Sequence, residues 1–129
     1  GGELARIVAQ GRRLTPLMVA EAADAGDALA FELILETARY LGIGITSLMH
    51  TIDPGAVILA GAMNFGGDRT VVGRAFIQRI RAEVRSRAFP VLGERTVIDF
   101  AALGSDAGFI GAAGIARAGW RKQNRPSAG

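Results

Sequence analysis

The residues best suited to touching a ligand are four in a row, Ala60-Gly61-Ala62-Met63, which follow the apolar run Ala56-Val57-Ile58-Leu59. Small side chains where a buried strand ends let the backbone come close to a flat or anionic group. A helix starting just beyond would aim free N–H donors at the same place. The chemistry this corner offers is binding, not bond-making. An ordinary strand-to-helix turn has the same composition, and spacing alone does not separate the two. No catalytic residue can be assigned: His50 is the only histidine, cysteine is absent, and Asp53, Asp99 and Asp106 each suit a turn, a strand end or a helix cap. A zinc site therefore has no ligand set, and neither a Ser/His/Asp nor a paired-carboxylate arrangement can be argued.

Two other stretches invite a phosphate or nucleic-acid reading. Leu103-Gly104-Ser105-Asp106-Ala107-Gly108 through Gly114 is glycine-rich. It lacks the Gly-Lys-Ser/Thr ending of a P-loop, and its glycines do not fit Gly-x-Gly-x-x-Gly. Gly104, Gly108 and Gly111 with Ala107, Ala112 and Ala113 read instead as a smooth helix face for tight packing against a sheet or a long helix. Arg74, Arg79, Arg81, Arg85 and Arg87 share one helix with only Glu83 opposing them. Their spacing scatters them, with no aromatic interleaved to stack on bases, so a solvated helix face is the expectation.

The elements that must position the corner follow from capping and periodicity. Residues 1–14 read as a helical remnant with Leu4, Ile7 and Val8 on one side. Thr15-Pro16 starts a short helix, the hydroxyl capping and the proline sitting where its missing N–H costs nothing. Gly26 ends it, and Asp27 caps a long helix from about Ala28 to Thr51. Glu32, Glu36 and Arg39 form a narrow polar stripe there, so burial over most of the circumference is expected. Gly42 and Gly44 imply close approach of another backbone, since each costs roughly 1 kcal/mol in a helix. After a strand at Val57–Ala60, Asp68 is expected to cap a helix over Arg69–Arg87 that buries Val72, Phe76, Ile80 and Val84. Pro90 and Gly93 break the chain before a strand at Thr96–Ala101, and Ser105 or Asp106 caps a last helix to about Gly119. The order is α-α-β-α-β-α, with two parallel strands joined by a right-handed crossover. Two strands are few for a sheet, so further strands from outside these residues are expected.

The 129 residues allow one domain, half of them hydrophobic, which excludes a disordered chain. No apolar run reaches the ~18 residues of a membrane span. The net charge of +3 comes from Arg121, Lys122 and Arg125 in the last nine residues; the rest balances at twelve basic against twelve acidic. Residues 120–129 read as a flexible basic tail, and a nucleic-acid partner is not expected.

Gly26-Asp27, the helix ending Leu41-Gly42-Ile43-Gly44-Ile45, the segment Asp53–Met63 and the segment Leu103–Ala113 occur in an order and at distances that resemble the C-terminal part of the ROK family (repressors, open reading frames and sugar kinases). The resemblance runs from about Ala22 to Ala116. It implies an α/β fold, the C-terminal portion of an actin-like ATPase or ribonuclease H-like domain, with residues 1–119 belonging to the nucleotide-binding lobe. It implies ATP with Mg2+ as the phosphoryl donor, Gly61 and Ala62 bordering the nucleotide, and Ala60 and Met63 flanking them. The family's corner is often three glycines; here Ala60 and Ala62 depart from it. The resemblance further implies a hexose kinase, glucose and its 6-hydroxyl first, working in the cytoplasm as a homo-oligomer such as a dimer. The family's Asp-x-Gly-Gly-Thr phosphate loop, catalytic Asp, Glu-x-Gly-His motif and Cys-rich zinc loop are not in these residues, which start Gly-Gly in place of Met. A fragment inactive by itself is therefore expected. A sugar-responsive repressor with a DNA-binding segment ahead of it, or an oligomerisation module, are the alternatives.

Overall fold

The computed structural model describes residues 2–103 and 106–123, with the backbone alone for Ala62 and Ala107. Its elements are α1 (Glu3–Ala9), α2 (Pro16–Asp24), α3 (Ala28–Ile52), β1 (Ala56–Leu59), α4 (Val71–Arg87), α5 (Pro90–Arg95), β2 (Val97–Phe100) and α6 (Ala107–Gln123). The expected α-α-β-α-β-α frame is present, preceded by α1 and with α5 inserted. Pro90 and Gly93 do not break the chain there. Proline occupies the first turn of α5, where no N–H is needed, so it starts a helix.

The helix starts obey their caps. Thr15 Oγ1 accepts from the Met18 N–H at 3.3 Å. At the other end of α2, Gly26 at φ 91° lets its N–H reach the Ala23 carbonyl and the Asp27 N–H reach the Ala22 carbonyl. Asp27 then serves two helices. Its Oδ1 accepts from the Leu29 and Ala30 N–H groups at 3.0 and 3.2 Å, and its Oδ2 from the Leu4 N–H at 3.0 Å, in the first turn of α1. The Leu4 bond, followed by that from Ala30, holds its carboxyl below the ordinary aspartate value.

The core lies between α3 and α4. Val72, Phe76, Ile80 and Val84 of α4 are buried as their spacing predicts, and Ile77 joins them. They meet Ile34, Ala38, Ile45 and Met49 of α3, with Ile98 of β2 below. Gly42 is the point of closest approach: a Cβ there would stand 2.7 Å from the Glu83 Cβ and 3.3 Å from the Ile80 carbonyl oxygen. Gly44 differs, since a Cβ would meet nothing within 4 Å, and nothing in the structure explains that glycine.

Two packing expectations are corrected. Helix α3 buries only the stripe Ala30, Ile34, Ala38, Gly42, Ile45 and Met49, with Thr46 beside it. Leu29, Leu33, Tyr40, Leu41, Leu48 and Ile52 are exposed, because among the described residues α2 and α4 cover one side only. Helix α6 is also uncovered. All its described side chains are exposed, and a Cβ at Gly108, Gly111 or Gly114 would meet nothing within 4 Å, so its smooth face packs against no element described here. Val8 of α1 is exposed as well, while Leu4 and Ile7 are buried.

Strands β1 and β2 pair in parallel, from Ala56 against Val97 to Leu59 against Phe100. Val57, Leu59, Ile98 and Phe100 turn toward the helices, and the opposite pleat leaves Ile58 and Val97 exposed. No helix of the described residues is long and apolar enough to cross a membrane.

Two outcomes follow. Gly42→Ala forces α3 from α4 and is expected to lower unfolding free energy by about 1–3 kcal/mol, whereas Gly44→Ala raises it by about 0.5–1 kcal/mol; urea denaturation of both variants checks the contrast. For Asp27 the folded-state value is depressed, so its stabilisation is complete above the ordinary value of 3.8 and lost as pH falls through the lowered one. Asp27→Asn should therefore flatten the pH dependence of stability in that acid range, measured by thermal melts at stepped pH.

Candidate functional site

The carboxyl ends of β1 and β2 open into a cleft of about 570 Å³. One wall is the segment Asn64–Arg69, the other the end of β2 from Phe100 to Leu103, with Asp106 and Ile110 at the start of α6 closing it. In open α/β sheets this is where ligands bind. A second hollow of about 400 Å³ lies between α2 and the same segment, walled by Leu17, Ala20, Phe65 and Thr70 with Glu21 and Asp24 alongside. Gly66 borders both.

The segment between them is built to hold its shape. Its path needs Gly61, Gly66 and Gly67, at φ 98°, 81° and 61°. Phe65 is left-handed too, at φ 49°, a conformation costing roughly 1–2 kcal/mol outside glycine. Its ring packs edge-on against Phe76 of the core, centroids 4.8 Å apart, which offsets that cost. Asn64 Oδ1 accepts from the Gly66 N–H at 3.2 Å. The Arg74 guanidinium donates to the Asp68 carbonyl at 2.7 Å. Gly73 lies so close that a Cβ would fall 2.1 Å from the Gly67 oxygen.

Thr70, and not Asp68, caps α4. Its hydroxyl oxygen accepts from the Gly73 N–H at 2.9 Å and its proton goes to the Phe65 carbonyl. A hydroxyl can do both at once, where a carboxylate can only accept. Asp68 sits one turn earlier, in a short 3-10 turn over Gly67–Arg69.

Of the residues singled out from sequence, Ala60 and Gly61 follow the end of β1, Ala62 begins a 3-10 turn to Asn64, and Met63 is exposed within it. The cleft wall begins one residue later, at Asn64. Only the middle corner position has positive φ, so alanine at 60 and 62 requires no backbone shift. The lining residues Asn64, Gly66, Gly67, Asp68 and Arg69 fall in or just after the loop Asn-Phe-Gly-Gly-Asp, whose paired glycines are the signal the sequence offers for them.

The remaining candidates take structural places. The His50 Nε2 accepts from the Phe89 N–H at 3.3 Å, and its ring lies 4.6 Å from that of Phe89. The α4 arginines lie on a solvated face as expected, Arg74, Arg79, Arg85 and Arg87 being exposed, and most of them brace the fold from there. Arg81 donates to the Ile98 carbonyl at 2.9 and 2.6 Å, and Arg79 and Arg87 flank the buried Glu83 at 3.2 and 2.6 Å. Asp53 ends α3 in the left-handed conformation and pairs with Arg95. Gly104, Ser105 and Arg125 lie outside the described residues. Among the described residues no group of His, Asp or Glu could hold a metal ion.

A model of the ROK family matches residues 3–118. The chain belongs to the ROK family. Among its curated ROK-like relatives, it is 32% identical over 98 residues to a glucokinase of Halalkalibacterium halodurans, covering 76% of this chain and 28% of that protein. It is 29% identical over 76 residues to a xylose repressor of Caldicellulosiruptor bescii, covering 59% and 18%. The chain thus spans less than a third of the length of either. The crystal structure of a candidate sugar kinase from Cytophaga hutchinsonii superposes with a TM-score of 0.64 at 23% identity, over 81% of this chain and 33% of that one. That likeness establishes a shared fold.

Thr70→Ala removes both hydroxyl bonds and should cost about 1–2 kcal/mol, while Thr70→Ser keeps them; chemical denaturation of the two variants measures the gap.

Proposed function

We infer that this chain is the C-terminal part of the nucleotide lobe of an ATP-dependent hexose kinase, most simply a glucokinase, that phosphorylates the 6-hydroxyl of glucose in the cytoplasm. The observation that carries the reading is the cleft at the carboxyl ends of a parallel strand pair, in a ROK chain similar to a glucokinase. Its size is right for part of a nucleotide, since small-molecule sites run to roughly 300–1,000 Å³. The apolar hollow against α2 suits the base, between Leu17, Ala20 and Phe65, with the carboxylates of Glu21 and Asp24 able to accept from an amino group. The Gly66–Gly67 backbone leads from there into the cleft, where the Arg69 cation suits a phosphate. Ala60, Gly61, Ala62 and Met63 form the turn that sets this path. Mg2+ would come bound to the phosphates, neutralising charge as they transfer. Asp68 and Asp106 also line the cleft, so phosphates entering with their cation are favoured over bare ones.

Sugar contacts and the base that accepts the sugar proton belong to the rest of the protein in this reading. The similarity to a xylose repressor supports a second one, a sugar-sensing regulator sharing this lobe.

A coupled ADP-release assay on the full-length protein, offered glucose, mannose, fructose, N-acetylglucosamine and N-acetylmannosamine, should show turnover with glucose. The 129-residue chain alone should show none. Leu17→Asp in the full-length protein should raise the KM for ATP at least about tenfold, roughly 1.4 kcal/mol, with the KM for sugar unchanged. Folded full-length protein without turnover on any sugar would favour the regulator.

A further inference from the structure

The peptide that joins Phe65 to Gly66 is held at both ends by side chains. Its carbonyl accepts the Thr70 hydroxyl proton, and its N–H donates to Asn64 Oδ1 at 3.2 Å. A helix cap needs only an acceptor for the Gly73 N–H, which a carboxylate supplies as well; the proton given to Phe65 is additional. The Thr70 methyl completes the grip, since a Cβ on Gly66 would collide with Thr70 Cγ2. What these ties oppose is the relaxation of Phe65, whose left-handed backbone is disfavoured roughly tenfold outside glycine. Gly66, the residue so held, borders both the cleft and the hollow against α2.

On the nucleotide reading above, we propose that Asn64 and Thr70 are positioning residues for the nucleotide: they fix the Phe65–Gly66 peptide so that the ridge between hollow and cleft is formed before the ligand arrives. A base in the hollow and phosphates in the cleft are joined across Gly66, so both halves of the ligand depend on the path of this one peptide. With either tie cut, Phe65 is free to return to the right-handed region, and the two half-sites lose their matching distance. If the competent path is then occupied about one-tenth of the time, apparent affinity falls about tenfold. Thr70 does this through the backbone, with its hydroxyl turned to Phe65 and Gly73. Asn64 also lines the cleft, so its tie is separated from direct contact by pairing its variant with one at Thr70.

Calorimetric titration of the full-length protein with Mg–ADP tests this without requiring turnover, and Leu17→Asp serves as the control for the nucleotide reading itself. Thr70→Val keeps the shape and loses both hydroxyl bonds. It should weaken ADP about tenfold at unchanged stoichiometry, whereas a loss of folded protein lowers stoichiometry alone. Thr70→Ser, which keeps both bonds, should recover most of that affinity. Asn64→Ala should weaken ADP by a similar factor, and the double variant with Thr70→Val by about tenfold, not the roughly hundredfold of independent effects. Suppose Leu17→Asp weakens ADP but Thr70→Val does not, or Thr70→Ser binds as weakly as Thr70→Val, or the two single effects multiply. Any of these overturns the positioning role and leaves the nucleotide reading standing. Absence of ADP binding, or affinity indifferent to Leu17→Asp, overturns the nucleotide reading and the positioning role with it.

Discussion

The rest of the molecule depends on the close crossing of α3 and α4. Two long helices approach until Gly42 has no room for a methyl group, and the apolar residues of α4 then fill the valley beside it. The crossing also buries a charge. Glu83, 7% exposed, lies over Gly42 and must be neutralised there, since an unpaired buried carboxylate is costly. Arg79 and Arg87 do this from positions one turn before and after it. The arginines of α4 are therefore tied to the missing side chain at position 42.

From that crossing the strands and the cleft follow. Helix α4 rests on β2, and Arg81 reaches across to the Ile98 carbonyl, so the far strand is tied to the helix directly. The segment leading from β1 to α4 is locked at its helical end by Thr70 and wedged over Gly73. It therefore reaches the carboxyl ends of the strands in one conformation. A pocket wall made of backbone needs such bracing, because glycines alone leave it free to wander.

Much of this was legible in the residues. The caps at Thr15 and Asp27, the α4 core positions, the parallel pair and the close approach at Gly42 all rest on local chemistry or short periodicity. Readings failed where the answer depended on what lies opposite. The apolar circumference of α3 and the small-residue face of α6 each state a capacity to pack; the described residues cover α3 on one side only and place nothing near the α6 glycines 108, 111 and 114. Proline at position 90 was ambiguous because the same lack of an N–H can end a helix or begin one. The choice of Asp68 over Thr70 as a cap failed because a hydroxyl can satisfy two backbone groups and composition ranks the residues alike. The cleft wall begins one residue beyond the corner read from the sequence, since the turn at Ala62–Asn64 intervenes.

Asp27 joins two helix starts that are 25 residues apart, Glu3 and Ala28. Neither first turn can lose this carboxylate without the other being affected, because both draw on the same acceptor. Helix α1 has only seven residues, too few to persist by itself. Its opening and the fraying of the α3 N-terminus thus become one event with one free energy. The Leu4, Leu29 and Ala30 amides, sharing one acceptor, therefore belong to one opening unit, separate from the core around Ile80.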